Sequence, residues 1–150
     1  MVTALTVSNN ILRRAFDENI PVSPMKLQKL VYFTYKRYLQ EYGNRIFNEP
    51  FEAWKYGPVV VSVYYQFNKY GSKRVKDYFR DNNRDVWEIN ESKSNEFASS
   101  LNYVWNEYKG YNGIDLSSLT HKRDTAWFKT ISDHRRFIED KDIKNEAWYK

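Results

Sequence analysis

At 150 residues without a single cysteine, the chain is near the commonest size for one domain. It must hold its core by packing alone, without disulfides, thiolate nucleophiles or cysteine-held metals. A 41% hydrophobic fraction excludes disorder from lack of apolar surface, and 18% aromatic residues make Tyr, Phe and Trp the main source of buried area. The net charge of +5 is uneven: residues 1–71 carry nine Lys/Arg against five Asp/Glu, residues 72–150 fifteen against fourteen. Such a mild excess favours an acidic partner over the dense basic clustering of a nucleic-acid binder.

No apolar run approaches the roughly 20 residues of a membrane-spanning helix, and Met1–Asn10 lacks the basic-then-apolar order of a signal peptide. A cytoplasmic protein of one domain spanning residues 1–150 is expected. Thirteen tyrosines are too many for one core, so some rings should lie at the surface, where a large amphipathic side chain suits an interface.

The first helix is predicted over Thr6–Asn19, with Val7, Ile11, Leu12, Ala15 and Phe16 at helical spacing. Ser23-Pro24 then forms an N-cap followed by proline at the first helical position. The second helix runs Pro24–Tyr42 and stops at Gly43. Leu27, Leu30, Val31, Thr34 and Tyr38 form its apolar stripe, and Lys26, Lys29, Lys36, Arg37 and Gln40 its narrow basic face. A helix so apolar around its circumference should be central.

Arg45–Tyr56 suggests two short extended pieces around Ile46-Phe47 and Phe51–Trp54, separated by a turn at Asn48-Glu49-Pro50. Gly57-Pro58 marks a corner. Val59–Tyr70 is predicted as helix, with Pro58 at its first position, Gly71 as its stop, and Val60, Val63, Tyr64, Phe67 and Tyr70 in one stripe at helical spacing. Residues 72–91 fit a solvated hairpin or an irregular excursion. Further helices are expected at Ser94–Tyr108, Leu116–Thr120, Thr125–Ile131, and from Asp140 or Asp142 to Tyr149. The predicted class is mainly α, a bundle of about five to seven helices with a small two- or three-stranded β element.

Catalytic chemistry finds little purchase. His121 and His134 are the only histidines, and neither belongs to a zinc-ligand pattern. His121 and Asp124 could pair as a base and its orienting carboxylate, but no nucleophile accompanies them. Glu139, Asp140 and Asp142 sit where a helix start attracts acidic residues. Gly43, Gly57, Gly71, Gly110 and Gly113 form no phosphate-cradling loop. The expectation is a protein that is not an enzyme, with no catalytic residues, no metal and no cofactor. Lys26, Lys29, Lys36 and Arg37, with Arg13 and Arg14, supply the one stripe on which a nucleic-acid role could rest.

Three ordered segments carry a resemblance. Lys26-Leu27-Gln28-Lys29-Leu30-Val31-Tyr32, then Phe51-Glu52-Ala53-Trp54-Lys55-Tyr56-Gly57-Pro58-Val59, then Leu116-Ser117-Ser118-Leu119-Thr120-His121 leading to Trp127, are similar to the Panacea, or SocA-like antitoxin, domain. Ala126 stands where that family often has proline. The resemblance implies a largely helical module of bacterial toxin-antitoxin loci and prophages, including phage-associated proteins named GepA, that neutralises protein toxins by binding them. Some members resemble adaptors that deliver the toxin to a protease. Leu27, Leu30, Gly57, Pro58 and Trp127 are then expected to be structural. Gln28, Lys29, Trp54, Tyr56 and His121 are expected to form a partner-binding cleft around His121.

Overall fold

The computed structural model describes residues 2–149. Seven α-helices and one two-stranded antiparallel sheet follow in the order α1 (Ala4–Glu18), α2 (Pro24–Tyr42), β1 (Glu52–Trp54), β2 (Gly57–Val59), α3 (Val61–Phe67), α4 (Asn95–Tyr108), α5 (Gly113–Thr120), α6 (Ala126–Ser132) and α7 (Asp140–Asn145). The architecture is mainly α with a small β element, as the sequence pattern predicts.

Helix α2 has the predicted boundaries. Ser23 Oγ accepts the Lys26 N–H at 3.2 Å, and Gly43 closes the helix at φ 75° with its N–H on the Leu39 carbonyl. It is also central, packing against α1, α3, α4, α5, α7 and β2. Leu27, Leu30, Val31 and Phe33 are buried with Val7, Ile11 and Leu12 of α1 and Leu101, Val104 and Trp105 of α4.

The basic face of α2 differs from expectation. Lys26, Lys29 and Lys36 are buried, each inside a different contact. Lys26 Nζ donates to the Lys109 carbonyl at 2.5 Å, Lys29 Nζ to the Pro58 carbonyl at 3.1 Å, and Lys36 Nζ forms an ion pair with Glu146 at 2.7 Å. Arg37 pairs with Glu41 and lies 3.8 Å above the Tyr103 ring, Arg13 pairs with Glu88, and Arg14 pairs with Glu91. The stripe proposed for nucleic acid is therefore consumed within the fold. A helix surrounded on nearly every side buries its polar residues too, and each must find a partner.

Two local predictions change, and of the two forms expected for residues 72–91 the irregular excursion is the one observed. Ile46-Phe47 forms no strand, and Phe47 instead enters the core between the Tyr35 and Phe51 rings. Pro58 belongs to β2 opposite Ala53 rather than to the first turn of a helix, so α3 starts at Val61 and gives way to a single 3₁₀ turn at Asn68–Tyr70. Proline is tolerated because β2 is an edge strand. Residues 72–91 contain no helix before Glu91 and no strand.

That excursion is nevertheless tethered. Asn9 and Asn10, both fully buried on α1, act as main-chain surrogates. Asn9 accepts the Phe79 N–H and donates to the Phe79 and Trp87 carbonyls; Asn10 accepts the Ile89 N–H and donates to the Ile89 carbonyl, all at 2.9–3.1 Å. Two side-chain amides thus satisfy backbone groups that a strand would have satisfied.

The C-terminal tail closes the bundle through Glu146. Its Oε2 accepts from Lys36 Nζ and from the Tyr149 hydroxyl at 2.5 Å, and its Oε1 from the Tyr32 hydroxyl at 3.2 Å and the Ala126 N–H at 2.6 Å. The Trp148 and Tyr149 rings lie 4.2 and 4.1 Å from Lys36 Nζ. Burial, reinforced by Glu146, pushes both the Tyr32 and Tyr149 phenols well above their ordinary range. Removing one member of this pair strands the other charge in the core. Glu146→Ala is expected to cost about 3–5 kcal/mol in urea unfolding, whereas Lys36→Met combined with Glu146→Leu should cost far less. Equal losses for the two variants would refute the assignment.

Candidate functional site

Strands β1 and β2 form a hairpin over residues 52–59, and the backbone from Trp54 to Val60 is gripped from three directions. Trp127 Nε1 of α6 donates to the Trp54 carbonyl at 2.6 Å. Ser117 Oγ of α5 donates to the Tyr56 carbonyl at 2.6 Å. Lys29 of α2 takes the Pro58 carbonyl, and Gln28, one residue earlier, accepts the Val60 N–H at 3.1 Å while donating to the Val60 carbonyl at 2.9 Å. Every one of these side chains comes from the first or third resembling segment, and every main-chain group they hold, but for those of Val60, from the second. On its outer side β1 is held by the Ala53 N–H on the Arg136 carbonyl and by the Ile138 N–H on the Phe51 carbonyl.

Gly57 is the tightest point. At φ 116°, a Cβ there would lie 2.6 Å from Thr120 Oγ1 and 2.8 Å from Lys29 Cε. Neither the backbone conformation nor the space admits a side chain. Thr120 is held in place by its own hydroxyl on the Ser117 carbonyl at 2.7 Å.

This grip leaves the side chains at the hairpin tip accessible, with Lys55 and Tyr56 exposed and Trp54 half-buried. A groove of about 430 Å³ opens between the start of α2, the hairpin and α3, lined by Pro24, Met25, Gln28, Lys29, Trp54, Lys55, Tyr56, Val59, Val63, Tyr64, Asn68 and Gly71. The Trp54 and Tyr64 rings meet edge to face at 4.9 Å, and Tyr64 meets Tyr65 at 5.4 Å. Tyr56 is 54% exposed, Tyr64 39% and Tyr65 68%, so an aromatic ridge borders an apolar trough.

The groove brings together Gln28, Lys29, Trp54 and Tyr56. Gln28 and Lys29 form its buried floor, and Trp54 and Tyr56 its accessible wall. His121 does not line it. The imidazole stacks on Trp127 at 4.0 Å, on the side of the hairpin that Trp127 anchors, and its buried Nε2 has no hydrogen-bond partner among the described residues. Burial, helped by the positive charge of Lys29, lowers its pKa below the ordinary histidine value, favouring the neutral ring in that stack. Four of the five residues expected to form the cleft thus line one groove, and His121 lies outside its lining. Met25 and Tyr65 are groove neighbours that the motifs do not point to, and Tyr64, expected in one stripe with Val63 and Phe67, is 39% exposed instead of buried with them. Tyr64 and Tyr65 are adjacent on one helix and point about 100° apart, so both could not share the core face with Val63 and Phe67.

The family model for "Antitoxin SocA-like, Panacea domain" matches residues 27–128, more than half of the chain and all three resembling segments but for Lys26.

The chain belongs to the SocA-like, Panacea-domain antitoxin family.

Antitoxin SocA of Caulobacter vibrioides (strain NA1000 / CB15N) is 43% identical over 74 residues, an alignment covering 49% of this chain and 39% of that protein. The chain thus spans about two fifths of the length of this curated relative. No solved structure matches it. Among the described residues no helix is long and apolar enough to cross a membrane. No group of three or more His, Asp or Glu residues there could hold a metal ion.

Two consequences of the Panacea hairpin geometry can be measured. Gly57→Ala should destabilise the fold by about 2 kcal/mol or more in denaturant titration, because strain and overlap with Thr120 add; a change within experimental scatter would refute the close approach. The second concerns Lys29, whose burial lowers its pKa from 10.5 to about 7. Between those values the unfolded chain holds a proton that the folded chain lacks, so stability rises with pH across this window. The urea midpoint should climb from pH 7 to about 9.5, before tyrosine ionisation begins to oppose it. Lys29→Met should make that climb smaller, and parallel profiles for the two proteins would contradict the assignment.

Proposed function

We propose that this Panacea-domain chain is an antitoxin that acts by direct, non-catalytic binding of a protein toxin through the groove formed by α2, the hairpin and α3. The observation that carries the reading is the arrangement of the family's three segments. Two of them grip the backbone of the third, so Trp54 and Tyr56 are presented on a rigid support beside Met25 and Tyr64. Exposed aromatic side chains beside an apolar trough have the composition of a binding hot spot, and a preorganised hairpin spares the entropy of ordering the contact surface.

Masking a toxin needs no nucleophile, metal or cofactor, in keeping with a site whose resources are aromatic area and buried main-chain anchors. Cytoplasmic action is part of the same proposal, since such a toxin acts inside the cell that makes it.

Co-expression with a small toxic protein encoded beside this chain tests the reading. The wild-type chain should protect and co-purify with the toxin. Tyr56→Ala with Tyr64→Ala should abolish both effects while lowering the thermal midpoint only slightly, since Tyr56 is 54% exposed and Tyr64, 39% exposed, loses only its ring contacts with Trp54 and Tyr65. Retained protection would place the contact surface elsewhere. Toxin lifetime in the same cells separates masking, which leaves the toxin intact, from delivery to a protease, which shortens its life.

A further inference from the structure

Charge around the groove is as one-sided as its shape is apolar. From Ala53 to Lys76 the chain contains Lys55, Lys69, Lys73, Arg74 and Lys76 and not one Asp or Glu. Lys55 lines the groove. Lys69 follows Asn68 and Lys73 lies two residues beyond Gly71, both of them groove residues, and the Lys73 N–H is held on the Tyr70 carbonyl at 3.0 Å. All three lysines are exposed. No carboxylate lines the groove.

The acidic residues bounding this stretch are already committed. Glu49 accepts the Ala4 N–H at 2.7 Å and the Ser62 hydroxyl at 2.6 Å. Glu52 pairs with Arg136 at 3.0 Å and accepts Trp54 Nε1 at 3.2 Å. Asp77 pairs with Arg80 at 3.2 Å. Many cations elsewhere are neutralised locally: Arg13, Arg14, Lys36, Arg37, Arg45, Lys109, Arg135 and Arg136 pair with carboxylates. Among the described residues Lys55, Lys69 and Lys73 form no ion pair, so the positive potential at the groove mouth is left for a partner.

From this juxtaposition we infer that the groove takes an acidic segment of a partner protein, in which one large apolar side chain enters the trough beside Met25, Trp54 and Tyr64 while flanking Asp or Glu residues face Lys55, Lys69 and Lys73. The inference deepens the proposed function by naming the chemistry of the contact. The volume of about 430 Å³ accommodates an anchor side chain, and the aromatic ridge supplies its apolar wall. β-Augmentation at β2 is blocked, because Pro58 has no N–H and its carbonyl is occupied by Lys29. Side-chain insertion with charge pairing at the rim is the mode that remains.

The test needs no toxin. A random 12-residue peptide library displayed on phage is panned on the full chain, and enriched peptides are resynthesised with a fluorophore for anisotropy titration. Enriched sequences should share one large apolar residue flanked by Asp or Glu. Their affinity should fall at least tenfold on Lys55→Glu, Lys69→Glu and Lys73→Glu combined, a variant expected to keep the wild-type melting temperature. It should also weaken severalfold between ~50 and ~300 mM NaCl. Neutral or basic consensus peptides, no enrichment, or binding indifferent to charge reversal would overturn the inference. So would a fluorescent dT12 oligonucleotide that binds the native chain as tightly as the best peptide and is lost in the same variant, which would make the face a nucleic-acid surface. Acidic peptides that bind as described, in a chain that fails to protect against its neighbouring toxin, would remove the antitoxin reading and leave this inference standing.

Discussion

The structure depends on a constraint imposed by a short hairpin. A two-stranded ribbon of three-residue strands has too few ladder bonds to persist in water, and its unpaired carbonyls need partners wherever water is excluded. Here the partners are side chains. Trp127, Ser117, Lys29 and Gln28 converge from α6, α5 and α2 on main-chain groups of Trp54, Tyr56, Pro58 and Val60. Each is worth little alone, but together they fix the hairpin relative to three helices, and Gly57 lets the strand approach α2 and α5 closely enough for the reach of Lys29.

The same economy runs along α2. A helix at the centre of a bundle has no wet face on which to leave lysines, so Lys26 and Lys29 end on carbonyls and Lys36 on Glu146. The last of these organises the far end of the molecule. Glu146 reaches Lys36 and Tyr32 on α2, Tyr149 in the tail, and the Ala126 N–H at the first position of α6. A proline at position 126 has no N–H to offer that carboxylate. The alanine that departs from the family pattern is thus the residue through which the tail holds the start of α6, and α6 in turn carries Trp127 to the hairpin.

Helix boundaries were legible because they rest on local chemistry. Ser23-Pro24 and Gly43 bound α2 by a cap, a fixed φ and a left-handed residue, none of which depends on distant contacts. Pro58 was misplaced because its local preference for a first helical turn competes with a tertiary demand, pairing with Ala53 and the capture of its carbonyl by Lys29, that spacing does not record. The lysines of α2 were misread for the same reason: periodicity finds an apolar face but not whether the opposite face is also covered. Asn9 and Asn10 gave no signal as backbone surrogates, since their partners lie some 70 to 80 residues away. Of the site, Gln28, Lys29, Trp54 and Tyr56 were legible through the motif, whereas Tyr64 and Tyr65 needed the fold to show which ring faced outward.

The division of labour within the hairpin bears on how one scaffold can address different partners. Its position is fixed through carbonyls, which every residue type supplies, and through Gly57, which no other residue can replace without strain. The side chains at Lys55, Tyr56 and Tyr65 contribute almost nothing to that fixation, and those at Trp54 and Tyr64 add only their mutual ring contact and the Trp54 bond to Glu52. They can change in size and charge while the backbone under them stays put. A binding surface whose geometry is decoupled from its chemistry changes specificity by substitution at a few exposed positions, without the stability losses that follow changes in a packed core. In this chain those positions carry four aromatic rings and one lysine, Lys55, and the proposed partner chemistry rests on that choice rather than on the fold.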